Sequence, residues 1–158
     1  MTEQERLEII GHNSSEDDEK IEAAVLVVFP LMQYPLMCGF VLESRRYEGV
    51  HFKVYDSKDI QTRKTVGIFQ LKMFPNCGSI VVSTGSCIYE PFKGKGIGRE
   101  LNKLRTRAMS LAGFERIMAT VRTDNDIEEH ILAANGWKRL SVFDSRYGSQ
   151  VSLWERVL

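Results

Sequence analysis

The chain has 158 residues, of which 43% are hydrophobic and 27% charged, with 12 glycines and 4 prolines. That composition excludes collagen-like, low-complexity and wholly disordered classes and suits one globular domain that needs no disulfide or metal staple. The 21 basic residues balance 21 acidic ones, but Glu3, Glu5, Glu8, Glu16, Asp17, Asp18, Glu19 and Glu22 face only Arg6 and Lys20, so the rest of the chain is net basic.

Residues 1–15 read as a flexible acidic N-terminus and residues 16–158 as a single domain. The opening MTEQERLEII lacks the basic start and short apolar core of a secretory signal. Cys38, Cys77 and Cys87 form no CxxC pair, so neither a disulfide framework nor a zinc site is expected, and a cytoplasmic setting fits.

Ser15 followed by Asp18 can begin a helix, in which Ile21, Ala24, Val25 and Val28 recur at helical spacing until Pro30. Ala23 to Leu42 carries no charge over twenty residues, long enough to cross a bilayer. Pro30 and Pro35, with Gln33, Tyr34 and Gly39, argue instead for short buried helices, the second over 35–45, and against a membrane.

The period then changes. His51 to Tyr55, Val66 to Met73 and Ser79 to Tyr89 are β-rich runs separated by polar turns, predicting three consecutive antiparallel strands. Ile97, Leu101, Leu104, Ala108 and Leu111 define an amphipathic helix ended by Gly113, with its basic residues largely on other faces; Arg105 and Arg107 read either as part of an anion site or as an ordinary solvated face. Arg116 to Thr123 reads as a strand. Asp126 to Asn135 reads as a helix capped by Asp124 or Asn125 and stopped by Gly136, followed by strands at 138–143 and 150–157. This order predicts an α/β (α+β) domain with a mixed, mostly antiparallel central sheet flanked by helices.

Chemistry concentrates in SIVVSTGSCIYEPFKGKGIGRELNKL, residues 79–104. Gly94, Gly96 and Gly98 lie between a strand and a helix, where main-chain N–H groups and the helix N-terminus converge on an anion. Lys93, Lys95, Arg99, Lys103, Arg105 and Arg107 surround them with only Glu100 in opposition. No Gly-Lys pair is followed by Ser or Thr, so the Walker pattern is absent, and Arg99 stands where a dinucleotide fingerprint needs its third glycine. What remains is Lys93-x-x-Gly96-x-Gly98.

That segment, FKGKGIGREL, resembles the pyrophosphate loop of the GCN5-related N-acetyltransferase superfamily, Gln/Arg-x-x-Gly-x-Gly/Ala, with Lys93 in the first position. Asn125 and the Gly136-Trp137 pair resemble the superfamily's downstream segment, so the likeness spans about residues 79–140. It implies a single acetyltransferase-like domain using acetyl-CoA, or another acyl-CoA, as co-substrate, with no metal. Main-chain groups from Lys93, Gly94, Lys95, Gly96, Ile97, Gly98 and Arg99 would cradle the pyrophosphate, and Lys95 and Arg99 would add charge. Ile88, Tyr89 and Glu90 would hydrogen-bond the pantetheine arm, Asn125 would touch that arm or cap its helix, and the thioester would lie between the regions of Ser86 and Thr120.

The implied activity is direct attack of a primary amine on the thioester. The superfamily's general-acid tyrosine falls on Leu132, which has no proton to give, so the catalytic residues stay open. Tyr89 and Glu90 are weak candidates, with Cys87, His130 and Tyr147 behind them, His130 reading as a surface residue. Trp137 and Trp154 read as packing. Residues 23–47 and 144–148 are expected to frame the acceptor pocket for an amine of unspecified identity, and a homodimer is compatible with the chain. Two rivals remain: a non-catalytic coenzyme A-binding or structural module, and a helix-hairpin-helix nucleic-acid binder. The second is disfavoured because β-branched residues and Pro91 precede the glycine turn.

Overall fold

The computed structural model describes residues 16–32, 39–59 and 61–158. The reading of residues 1–15 therefore falls outside the described residues. The elements are α1 (Glu16–Val28), a 3-10 turn (Phe29–Leu31), β1 (Phe40–Arg46), β2 (Val50–Asp56), β3 (Thr65–Met73), β4 (Ile80–Ile88), α2 (Ile97–Leu111), β5 (Arg116–Arg122), α3 (Asp126–Ala134), β6 (Lys138–Asp144) and β7 (Gln150–Val157). They build one seven-stranded sheet in the order β1-β2-β3-β4-β5-β7-β6. Every pairing is antiparallel except β4 with β5.

The registers put Val50, Phe52, Val54, Phe69, Leu71, Val81, Ile117, Val121 and Trp154 on one face of the sheet, and all of them are buried. α1 and α2 pack together over that face, α1 through Ile21, Ala24, Val25 and Val28 and α2 through Ile97, Leu101, Leu104, Ala108 and Met109. Phe52 and Phe69, paired across β2 and β3, stack at 4.7 Å between centroids. α3 meets α2 and β6, and Asn125 caps it by accepting from the Glu128 N–H at 3.2 Å. Pro30 lies in the 3-10 turn that ends α1, as its missing N–H requires.

Three sequence expectations change. The helix predicted over 35–45 is strand β1 from Phe40 on, because Val41, Glu43 and Arg45 alternate with Leu42, Ser44 and Arg46 at period two. Residues 33–38 lie outside the described residues. The antiparallel run therefore has four strands, and β1 is an edge strand three places from the β4–β5 boundary. Of the segments expected around the acceptor, residues 23–28 belong to α1 and Tyr147 is 85% exposed, while residues 33–38 lie outside the described residues. Finally, Arg105 is not solvated: it follows Leu101 by four positions, shares the core stripe of α2 and is 3% exposed, while Arg107 faces solvent. Among the described residues, no helix is long and apolar enough to cross a membrane.

Candidate functional site

β4 and β5 pair only at Ile80–Val82 against Arg116–Met118, and beyond that point they part. β5 stays zipped to β7 along its whole length. β4 instead follows β3 through a bulge: Ile68 and Gln70 oppose Cys87 and Thr84, so β4 carries one residue more than its partner there. Gly85 occupies this stretch with φ of +61°, a conformation that residues with a Cβ enter at a cost.

The parted strands enclose a gap of about 160 Å³. Ser83, Thr84, Gly85 and Ser86 line it from β4, and Ala119, Thr120, Val121 and Arg122 from β5. Arg105 of α2, Asn125, Glu128 and Leu132 at and within α3, and Trp137 complete the wall. Ser86 and Thr120 thus line one gap. Leu132 is 1% exposed and forms part of the same wall.

At its upper end β4 leads into the glycine loop. Tyr89 has no free main-chain group: its N–H donates to Val66 O at 2.8 Å and its carbonyl accepts from the Phe92 N–H at 2.8 Å. Strand alternation turns the N–H and carbonyl of Ile88 the other way, toward the unpaired side of β4. The Glu90 carboxylate is exposed and pairs with Lys93 at 3.1 Å. Neither Tyr89 nor Glu90 lines the gap.

Gly94 and Gly96 have φ of +76° and +80°. Gly96 is the N-cap of α2 and no side chain caps the helix, so the first-turn amides of Ile97, Gly98 and Arg99 keep their donors for an outside acceptor. The Ile97 side chain is core, which leaves only its main chain to the loop. A Cβ built on Gly98 would meet Ile131 Cδ1 at 3.5 Å and Ile88 Cγ1 at 3.8 Å, so the first turn of α2 sits close against α3 and β4. Phe92 anchors the loop from below, and the Nζ atoms of Lys64 and Lys95 each lie 5.6 Å from its ring centroid. β4, not a helix, precedes this turn, which is not the helix-hairpin-helix arrangement.

The sequence reading missed Lys64 and Glu128, and it missed the burial of Arg105. Lys64 belongs to no motif and reaches the loop only because β3 pairs with β4. Arg105 was readable from its helical phase. Its Nη1 donates to Ser83 Oγ at 2.9 Å, its Nη2 stands 3.9 Å from Glu128 Oε1, and its guanidinium lies 5.9 Å from the Phe69 ring centroid. Its Nε is buried without a partner. Burial pulls its pKa down, with the Glu128 charge opposing only in part. His130 is exposed, while Trp137 and Trp154 are buried, their indole N–H groups donating to Asn102 Oδ1 at 3.2 Å and Ser152 Oγ at 2.8 Å. Among the described residues, no cluster of three or more His, Cys, Asp or Glu side chains could hold a metal.

No family model matches the sequence, and no curated protein matches it. Solved structures do. An IAA acetyltransferase from Bacillus cereus superposes with a TM-score of 0.61 at 13% identity, covering 70% of this chain and 79% of the other. A GNAT family acetyltransferase from Elizabethkingia anophelis, solved with acetyl-CoA bound, gives 0.64 at 9% identity over 76% and 99%. The spermidine/spermine N-acetyltransferase SpeG from Vibrio cholerae gives 0.58 at 16% identity over 70% and 65%.

Proposed function

We propose that this chain, which has the fold of the GCN5-related N-acetyltransferases, is an N-acyltransferase that moves an acetyl or other acyl group from coenzyme A to a primary amine. One observation carries the reading: a glycine-lined loop with uncapped helix amides stands at the end of the strand that parts from its parallel neighbour. A diphosphate suits the first feature, and an extended amide-bearing arm suits the second, because the unpaired side of β4 offers main-chain partners in the manner of an added strand.

In this reading the amides from Lys93 to Arg99 hold the pyrophosphate, Lys93, Lys95 and Arg99 supply charge, and Lys64 joins them. The arm runs along β4 past Ile88 to the bulge, with Tyr89 engaged elsewhere. Asn125 fixes α3 beside the arm. The open space around Gly94, where an added Cβ would meet nothing within 4 Å, leaves room for the phosphates. The gap brings amine and thioester together, the condition under which proximity lowers the barrier most.

A second reading is favoured by one residue: with Leu132 buried where a proton donor is customary, the domain would bind coenzyme A and leave it intact. Calorimetry with coenzyme A and a Gly96→Glu variant tests the shared premise, since a carboxylate at the loop should abolish the heat. No heat from the unaltered protein sinks both readings. Loss of thioester absorbance with a panel of primary amines then separates an enzyme from an idle binder.

A further inference from the structure

The gap contains a charge pair that the packing of the fold does not require. Arg105 is almost wholly buried, yet among the described residues only its Nη1 makes a hydrogen bond, to Ser83 Oγ at 2.9 Å. Nε has no partner, and Nη2 stops 3.9 Å short of Glu128 Oε1, beyond hydrogen-bond reach. A buried guanidinium is costly unless its donors are satisfied, and an unbranched apolar side chain would fill the same place against Phe69 without that cost. Glu128 is the carboxylate among the residues lining the gap, held at the first turn of α3 by the Asn125 cap. Arg122, the other cation on the wall, is already bound to Asp124 at 2.5 Å. Leu132, Ala119, Val121 and Trp137 add apolar surface to the same wall, and Arg105 itself is almost wholly buried, so its charge is weakly screened. A cation and a carboxylate thus stand side by side on one wall of the gap, both within reach of a group that enters it.

We propose that Arg105 and Glu128 are the catalytic pair of acyl transfer, performing together what a tyrosine at position 132 would otherwise do. This rests on the reading of the gap as the thioester site. The amine lone pair attacks the carbonyl carbon and forms the C–N bond. Glu128 accepts the proton the amine loses. The C–S bond breaks with its electron pair on sulfur, and Arg105 Nη2 holds the resulting thiolate until the proton returns from Glu128 to sulfur. No oxidant, metal or further reactant is needed, and Arg105 keeps its proton throughout.

Arg105→Met and Glu128→Gln are compared with the unaltered full chain for coenzyme A binding by calorimetry, thermal unfolding, and acetyl-CoA cleavage with a panel of primary amines. Each variant is expected to bind coenzyme A within threefold of the parent and to lose 100-fold or more in kcat, in the range typical of proton-transfer catalysis. Glu128→Gln should also lose the acidic limb of the pH–rate profile. Guanidinium ion should restore part of the rate of an Arg105→Ala variant, whose truncated side chain leaves room for it, and none of the Glu128→Gln rate, which a merely structural role would not produce. Turnover within threefold of the parent in both variants overturns the inference while leaving the transferase reading intact. So does a rate loss matched by lost coenzyme A binding. Coenzyme A binding by the parent with no cleavage for any amine overturns the inference and the transfer step together, and absent binding removes the premise of both.

Discussion

Trp137 donates its indole N–H to Asn102 Oδ1 across 35 residues of sequence, at 3.2 Å, tying the turn after α3 to the buried side of α2. Both residues are buried, and Asn102 Nδ2 has no partner. The amide is thus held by a single bond, and its loss should be felt at full cost.

Trp137→Phe is expected to lower stability by about 1–3 kcal/mol, the price of leaving a buried acceptor unpaired together with lost ring area. Urea denaturation followed by circular dichroism checks this, with the slope unchanged. Asn102→Leu in the same background should recover part of the loss, because it removes the stranded amide as well.

The loop glycines should separate cleanly. Gly96 has φ of +80°, so Gly96→Ala is expected to cost about 1 kcal/mol in strain before any ligand is added. Gly98 has ordinary contacts waiting for a Cβ, at 3.5 and 3.8 Å, and Gly98→Ala should leave stability unchanged or raise it by up to about 1 kcal/mol through helix propensity. Thermal unfolding of the two variants without ligand distinguishes them.

Glu22 joins α1 to β1, accepting from Ser44 Oγ and from Arg46 Nε, each at 2.5 Å. Burial alone would raise its pKa, but the Ser44 and Arg46 hydrogen bonds and the Arg46 charge outweigh burial and hold the carboxyl below its ordinary value. A lowered folded-state pKa means the stabilisation is present above the unfolded carboxylate pKa of about 4.3 and is lost as pH falls through the lower folded value. Glu22→Gln should therefore cost about 0.5–1 kcal/mol at pH 7, the usual size for a partly exposed pair. The difference from the parent should shrink to nothing in strongly acidic buffer, as read by pH-dependent urea midpoints.

Lys64→Ala should weaken coenzyme A binding about threefold to tenfold at low ionic strength, although Lys64 precedes the glycine motif by about thirty residues. The difference should narrow as salt is raised, because exposed charges are screened within about 10 Å at 0.1 M. Titration calorimetry at two salt concentrations measures both effects.

Sequence reasoning reached the parts of this fold that are encoded locally. The bounds of α2 follow from Gly96, Gly113 and a stripe of Leu and Ala, and Asn125 caps α3 as its position before the helix suggests. β1 was misread because an uncharged run with two prolines hides a period-two segment behind a helix-like one. The parting of β4 and β5 was legible only through the resemblance, since nothing in Ile80–Ile88 or Arg116–Arg122 states where pairing stops. Arg105 was misassigned for a simpler reason: charge was weighed above helical phase, although a residue four after Leu101 must face the core. Glu128 could not be linked to Arg105 from spacing at all, because their meeting depends on how α2 and α3 cross.

The additional residue in β4 opposite Ile68–Gln70 has a meaning beyond its local kink. It gives the strand slack, so that hydrogen bonding to β3 resumes on either side while the intervening arc bows. The width of the opening beside it is consequently written into chain length and not into side-chain identity. Substitutions among the lining residues can retune what the slot accepts without shutting it, whereas deleting Gly85 would pull the arc taut and close it at a stroke.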